Sequence, residues 1–96
     1  MRVIFTPLAR GDLLDAQDWY QTQHPGLGSR FRQELEASVT RIQENPHQFP
    51  VVFQDVPRAR LRKFPYGLFF RVETSAALVI ACFHGSRDPQ GWERRV

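Results

Sequence analysis

Residues 60–70 read RLRKFPYGLFF, and after one further strand-like run residues 83–89 read FHGSRDP. In the first stretch basic side chains come just before a turn, and in the second an imidazole and an arginine follow an apolar run. This placement predicts that cations and a histidine gather at one edge of a small sheet. Such an edge would allow a small protein to bind a phosphate backbone or an acidic partner.

Length and composition indicate one ordinary globular domain. The chain has 96 residues, 42% of them hydrophobic and 24% charged, so we expect a single domain spanning residues 1–96. The single Cys82 lies inside an apolar run and is expected to be a buried thiol without a disulfide partner. No apolar run is long enough to span a membrane, and the first apolar segment is too short for a signal peptide. We therefore expect a cytoplasmic protein.

The charge is distributed unevenly along the chain. Residues 1–57 carry five Arg against seven acidic residues, and residues 58–96 carry seven Arg and one Lys against three, which gives −2 and +5. Arg presents a planar fork that pairs in two places with phosphate or carboxylate. The second part of the chain is therefore either a solvated basic surface or a binding face for nucleic acid or an acidic protein segment.

Two helices are predicted in the first half. Thr6–Pro7 is a helix start, because Thr can cap and Pro at the first helical position needs no N–H partner. The apolar positions of this first helix are Ala9, Leu13, Ala16 and Tyr20, and its acids Asp12, Asp15 and Asp18 line another face. His24–Gly26 ends it, and Asn45–Pro46 ends a second helix. The apolar stripe of the second helix is Leu27, Phe31, Leu35, Ser38 and Ile42.

Val3–Phe5 near the start is predicted to be a short strand, and further strand patterns follow in the second half of the chain. Arg58, Arg60 and Arg62 share one face of a predicted strand, and residues 64–67 are predicted to form a turn. The inward face of the next strand is Leu68, Phe70 and Val72, and residues 78–83 are apolar enough for a central strand. The pattern predicts an α+β domain, in which a small antiparallel sheet is packed by an N-terminal helical hairpin.

Several motifs, in this order, resemble the ParE/RelE toxin superfamily of type II toxin–antitoxin modules. They are Ala9-x-x-Asp12-Leu13 with Trp19-Tyr20, Arg30-Phe31 with Leu35, Arg62-Lys63-Phe64-Pro65-Tyr66 with Phe70-Arg71-Val72, and His84-x-x-Arg87-Asp88-Pro89-x-x-Trp92. The resemblance covers almost the whole chain and is closer to the ParE-like branch. It implies a βααβββ fold, a toxin that inhibits growth and stabilises plasmids, and a cognate antitoxin with which it forms a hetero-oligomer.

The resemblance implies two different targets. ParE-like members act on DNA gyrase, a protein target that needs no catalytic residues, whereas RelE-like members cleave mRNA in the ribosome with basic residues and often a C-terminal Tyr. Arg58 and Arg60 fall where basic residues of the RelE-like set lie, and Arg87 falls on its later Arg. Gly67 replaces an Arg of that set, and Glu93 stands near the position of the Tyr.

The sequence therefore leaves the question of enzymatic activity open. If the protein is a nuclease, the candidate catalytic residues are Arg60, Arg62, His84 and Arg87. The alternative for His84 is a hydrogen bond to the following loop or to Asp88, and for Arg87 an ion pair with Asp88. No Cys/His metal spacing and no phosphate-binding glycine loop occurs, so we expect neither metal nor cofactor.

The residues that we expect to contact the target or the antitoxin are Arg58, Arg60, Arg62, Lys63, Tyr66, Arg87 and Trp92. Trp92 can alternatively be a lid over the sheet. Our favoured interpretation is a ParE-like toxin that inhibits gyrase by protein–protein contact. The alternatives are a ribosome-dependent mRNA endonuclease and a degenerate, non-toxic member that still binds its antitoxin.

Overall fold

The computed structural model describes all 96 residues. The helices are α1 (Pro7–Gln23), α2 (Leu27–Glu44) and a short α3 (Gln90–Glu93). The strands are β1 (Arg2–Phe5), β2 (Val51–Phe53), β3 (Val56–Arg60), β4 (Tyr66–Val72) and β5 (Ala76–His84). The predicted α+β class and the helical hairpin are confirmed. No helix combines the length and apolar character that crossing a membrane requires.

The five strands form one sheet in the order β1-β5-β4-β3-β2. The pairs β2–β3, β3–β4 and β4–β5 are antiparallel, but β1 runs parallel to β5, with Arg2 opposite Ala76. The sheet is thus mixed, which corrects the expectation of a purely antiparallel sheet. The cause is topological: the helical hairpin carries the chain from β1 across the sheet, and the last strand returns between β1 and β4.

The helices begin and end where the sequence predicts. The Thr6 hydroxyl accepts the Ala9 N–H at 3.1 Å, and Pro7 occupies the first position of α1. The helix α2 ends at Glu44, before Pro46. The apolar stripes of both helices face the sheet and join one core, whose helical members are Ala9, Leu13, Ala16, Tyr20, Phe31, Leu35 and Ile42.

A second core covers the opposite face of the sheet. Its members are Val56, Phe69, Ile80, Ala81, Phe83 and Trp92. Trp92 is only 5% exposed, and its ring stacks on Phe69 with 4.1 Å between centroids. The segment around α3 is therefore a lid on this face, and Trp92 supplies its main apolar contact.

A bulge in β5 determines which way its last residues face. Phe69 pairs with Ala81 while Phe70 pairs with Val79, so Ile80 is the extra residue. Ile80 and Ala81 consequently both belong to the second core, while Val79 and Cys82 face the helices. The bulge therefore turns His84 to the helix side, where its ring meets Tyr66.

The turn between β3 and β4 lies earlier than predicted. The strand β3 ends at Arg60, so Arg62 belongs to the turn, whereas Tyr66 and Gly67 already belong to β4. The Tyr66 carbonyl accepts the Leu61 N–H at 2.9 Å, which closes the turn and draws Tyr66 into the sheet. Lys63 has a φ of 69°, an unusual backbone conformation for a lysine.

Candidate functional site

Three strands bring polar residues together at one end of the sheet, where β3 ends, β4 begins and β5 ends. Arg60 lies opposite Gly67, and Tyr66 lies opposite His84 in the register. We call this region the hairpin end. The structure thus brings Arg58, Arg60, Tyr66 and His84 close together, and Arg87 follows in the loop after β5.

Two cavities open at the hairpin end, one on each face of the sheet. The first, which we call the basic pocket, has a volume of about 360 Å³ and lies mainly on the face away from the helices; its polar lining is Arg58, Arg60, Tyr66, His84 and Ser86. The second, which we call the helix-side groove, has a volume of about 810 Å³; it is lined by Asp12, Asp15, Ala16, Trp19, Tyr20, Pro65, Tyr66, Cys82, His84, Ser86 and Arg87.

Arg58 is held against the backbone of β4. A Cβ atom at Gly67 would lie 3.0 Å from Cγ and 3.1 Å from Cδ of Arg58, so the glycine leaves room for the arginine stem. Burial, with a smaller effect of the positive charge on Arg60, lowers the pKa of Arg58. Because its Nε is buried without a hydrogen-bond partner, a side chain at position 67 would displace an already poorly solvated cation.

No acidic side chain neutralises the basic pocket. The ion pairs of the protein are Arg32–Glu36, Arg71–Asp55 and Arg95–Asp12, and none of them involves Arg58 or Arg60. Arg60 is exposed at the end of β3. The pocket therefore presents two uncompensated guanidinium groups to an anionic group of a ligand or partner.

His84 is tied to the loop that follows it. Its Nδ1 lies 3.0 Å from the backbone nitrogen of Ser86, which donates to it, and 2.8 Å from the Ser86 hydroxyl. The Asp88 carboxylate instead accepts the Gln90 N–H at 3.0 Å. The predicted Arg87–Asp88 ion pair is absent, and the Arg87 guanidinium lies 5.2 Å from the centre of the Phe83 ring.

Tyr66 joins the site to the core of the protein. Its ring packs edge-on against Phe31, with 5.3 Å between centroids, and the ring of His84 lies at the same distance on another side. Burial raises the pKa of Tyr66, although Arg87 acts in the opposite direction. The phenol is consequently neutral at physiological pH, which disfavours a role as general base.

Three predicted residues lie outside this convergence. Arg62 and Lys63 are exposed in the turn between β3 and β4, and Trp92 is buried in the second core. The sequence interpretation did not include Ser86. Its position two residues after His84 is the signal that could have suggested a local hydrogen bond. No cluster of three or more His, Cys, Asp or Glu side chains is placed to hold a metal ion.

An ion pair that the sequence does not suggest closes one end of the helix-side groove. The Asp12 carboxylate accepts hydrogen bonds from Arg95 Nη1 at 2.7 Å and Nη2 at 3.2 Å. It also accepts the backbone N–H of Cys82 at 3.0 Å. Burial, together with the charge of Asp12, raises the pKa of the Cys82 thiol to about 12, so this thiol is not a nucleophile at neutral pH.

The comparisons with known proteins agree with one another. The family model described as "ParE toxin of type II toxin-antitoxin system, parDE" matches residues 3–89. A solved structure titled "Chromosomal ParDE TA system from P. aeruginosa" is similar to this chain with a TM-score of 0.77 and 22% sequence identity. The similarity covers 88% of this chain and 95% of the other. No curated protein sequence matches significantly. At this identity the solved structure supports the fold alone.

Proposed function

Because this chain belongs to the ParE toxin family of type II toxin–antitoxin systems, we propose that it is a toxin that inhibits DNA gyrase by direct contact. The observation that carries this proposal is the basic pocket, where Arg58 and Arg60 have no acidic partner. Arginine that is free of internal pairing is common at the centre of protein interfaces, where it forms forked hydrogen bonds. We propose that the exposed Arg62 and Lys63 extend this surface.

The same site lacks a complete set of groups for cleaving RNA. Attack by a 2′-hydroxyl needs a general base, a general acid for the leaving oxygen and donors for the charged intermediate. Arg58 and Arg60 would supply the donors, but His84 is the only histidine that lines this pocket, and Ser86 occupies its Nδ1. The raised pKa of Tyr66 disfavours its use as a base. These features favour binding over chemistry.

We propose a cognate antitoxin as the second partner. The net charge of +5 over residues 58–96, from seven Arg and one Lys against three acids, favours an acidic segment of that antitoxin. A disordered acidic segment that folds on binding would cover the basic surface and block access to the target. The protein encoded beside this gene is expected to copurify with this chain, and failure of both neighbours to do so would contradict this part of the proposal.

The decisive experiment is brief expression of the toxin, followed by analysis of DNA and mRNA from the same cells. We expect loss of supercoiling and DNA breaks while mRNA stays intact. Purified gyrase supplies the direct test, because supercoiling should fall with added toxin and recover with added antitoxin.

The second candidate function is ribosome-dependent mRNA cleavage. One observation favours it: His84 lines the same pocket as Arg58 and Arg60, which places one histidine and two arginines around one cavity. Under this function, brief expression should cut mRNA at codon-phased positions and leave gyrase activity unchanged. The two functions therefore predict opposite results in one experiment.

A further inference from the structure

The strand β5 has a free edge inside the helix-side groove. The strand β1 ends at Phe5, opposite Val79, so beyond that point β5 pairs only with β4. In the first part of this edge, two side chains already form hydrogen bonds with the backbone of β5. Asp12 accepts the Cys82 N–H at 3.0 Å, and Arg95 donates to the Ile80 carbonyl at 2.9 Å.

The rest of the edge stays open. The Gly85 N–H donates to the Pro65 carbonyl at 2.7 Å, which makes Tyr66 and His84 a non-hydrogen-bonded pair of the ladder. By the same alternation the backbone groups of His84 and Cys82 point away from β4. The His84 carbonyl accepts the Arg87 N–H at 3.1 Å. The Cys82 carbonyl and the His84 N–H therefore remain for another chain.

These two groups select one strand direction. An antiparallel neighbour uses the N–H and the carbonyl of the same residue. The Cys82 N–H is already taken by Asp12, and the His84 carbonyl by Arg87. A parallel neighbour instead donates to the carbonyl of one residue and accepts from the N–H two residues later, and Cys82 and His84 provide this pair.

The α1 wall of the groove favours a positive charge. Trp19 is 55% exposed and meets Tyr20 edge-on at 5.0 Å between centroids. Asp15, one turn before Trp19, is exposed and forms no ion pair. An indole face next to a free carboxylate is a favourable place for a Lys or Arg side chain, through cation–π and charge attraction.

We propose that the helix-side groove binds an extended segment of a partner protein, which pairs in parallel with β5 and places a Lys or Arg side chain against Trp19 and Asp15. The cavity of about 810 Å³ has room for a few residues. The groove shares Tyr66, His84 and Ser86 with the basic pocket, but its α1 wall prefers the opposite charge. The proposal goes beyond the proposed gyrase and antitoxin contacts and does not depend on either.

The test uses the full chain, labelled with ¹⁵N, and capped heptapeptides of alternating Val and Thr whose central residue is Arg, Glu or Leu. We expect the Arg peptide to shift the backbone amide of His84 and the indole N–H of Trp19, and to slow exchange of the His84 amide. The Glu peptide should bind about three- to fivefold more weakly, as one partly exposed charge contact allows. No shift at His84 with millimolar Arg peptide would overturn the proposal.

Two controls distinguish binding of the peptide in the groove from its general attraction to the acidic side chains of α1. Asp15→Asn should weaken the Arg peptide about three- to fivefold, whereas Asp18→Asn, an exposed acid of α1 outside the groove, should not. A peptide N-methylated at the residue that donates to the Cys82 carbonyl should lose binding. Equal effects of the two aspartate variants, or full binding of every singly N-methylated peptide, would contradict the proposed pairing.

Discussion

The Asp12 carboxylate and the Arg95 guanidinium are separated by 83 residues of sequence, yet their closest atoms lie 2.7 Å apart. Their side chains are only 15% and 18% exposed. Through this contact the first helix holds the C-terminal segment, and both side chains hold the backbone of β5 at Cys82 and Ile80. One ion pair thus joins the two ends of the chain to the middle of the sheet.

Removing one member of this pair should destabilise the protein strongly. Asp12→Ala leaves a largely buried guanidinium without its partner, and we expect a loss of about 3 kcal/mol in the free energy of unfolding. Urea titrations of Asp12→Ala, Arg95→Ala and the double variant should give a coupling energy of about 1–3 kcal/mol. The Asp55–Arg71 pair is the matched control, since its side chains are 64% and 40% exposed. It should contribute at most about 1 kcal/mol, and an equal coupling in both pairs would refute the argument.

The two tryptophans should differ sharply in their effect on stability. Trp92 is 5% exposed and Trp19 is 55% exposed. We expect Trp92→Ala to cost about 3–5 kcal/mol and Trp19→Ala to cost less than about 1 kcal/mol. Chemical denaturation followed by circular dichroism measures both. A small loss for Trp92→Ala would mean that the segment around α3 does not cover the sheet in solution.

Charge reversal at Arg60 and Arg62 should abolish activity without unfolding the protein. Arg60 and Arg62 are exposed, so Arg60→Glu with Arg62→Glu should change stability by less than about 0.5 kcal/mol per site. Growth inhibition measures the activity, and a melting curve checks the fold. The control is Arg2→Glu with Arg10→Glu, which makes the same change of net charge at exposed sites elsewhere. Full toxicity of the Arg60/Arg62 variant would place the active surface elsewhere.

His84→Gln separates binding from catalysis. Glutamine keeps some hydrogen-bonding capacity toward the Ser86 loop but does not transfer a proton. If the protein acts by contact, gyrase inhibition should be nearly unchanged. A nuclease would instead lose about 10²–10⁴ in rate. Single-turnover cleavage of ribosome-bound mRNA, beside gyrase supercoiling, compares the two. Wild-type cleavage that collapses in the variant would contradict the proposed function.

The Cys82 thiol should make the protein sensitive to alkaline pH. Its pKa is raised to about 12 in the folded state, so the unfolded chain loses this proton at lower pH than the folded one. Stability should therefore fall as the pH rises above about 9, by at most about 1.4 kcal/mol per pH unit from this group. The comparison is urea unfolding at several pH values with Cys82→Ala, which should show a shallower decline. Parallel curves for both proteins would refute the assignment.

Sequence periodicity was sufficient to predict the helices and the direction in which they pack. Ala9, Leu13, Ala16 and Tyr20 recur at helical spacing, and all four are buried. The parallel placement of β1 beside β5 was not predictable in this way, because it depends on where the hairpin returns the chain. The bulge at Ile80 was also missed, since an unbroken apolar run has the same pattern with or without an extra residue.

The sequence pattern was sufficient to predict that some residues of the candidate site lie at one end of the sheet. Arg60 and His84 line one cavity because β3 and β5, which flank β4, both end at the same end of the sheet. The sequence places the turn at residues 64–67, because the Pro65–Gly67 stretch is typical of turns. In the structure the turn lies earlier, and its residue with a left-handed backbone conformation is Lys63. The contact of Asp12 with Arg95 depends on tertiary structure alone, and no local pattern encodes it.

The pairing of the first strand with the last has a consequence for protein synthesis. Residues 2–5 leave the ribosome well before their partners, residues 76–79. A nascent chain therefore carries an unpaired β1 until β5 has been synthesised, and contacts between such distant residues form slowly. Truncated products of interrupted translation lack the strand that joins β1 to β4. Only a chain that includes β5 can assemble the hairpin end, so a cell that halts translation before β5 makes a fragment without this surface.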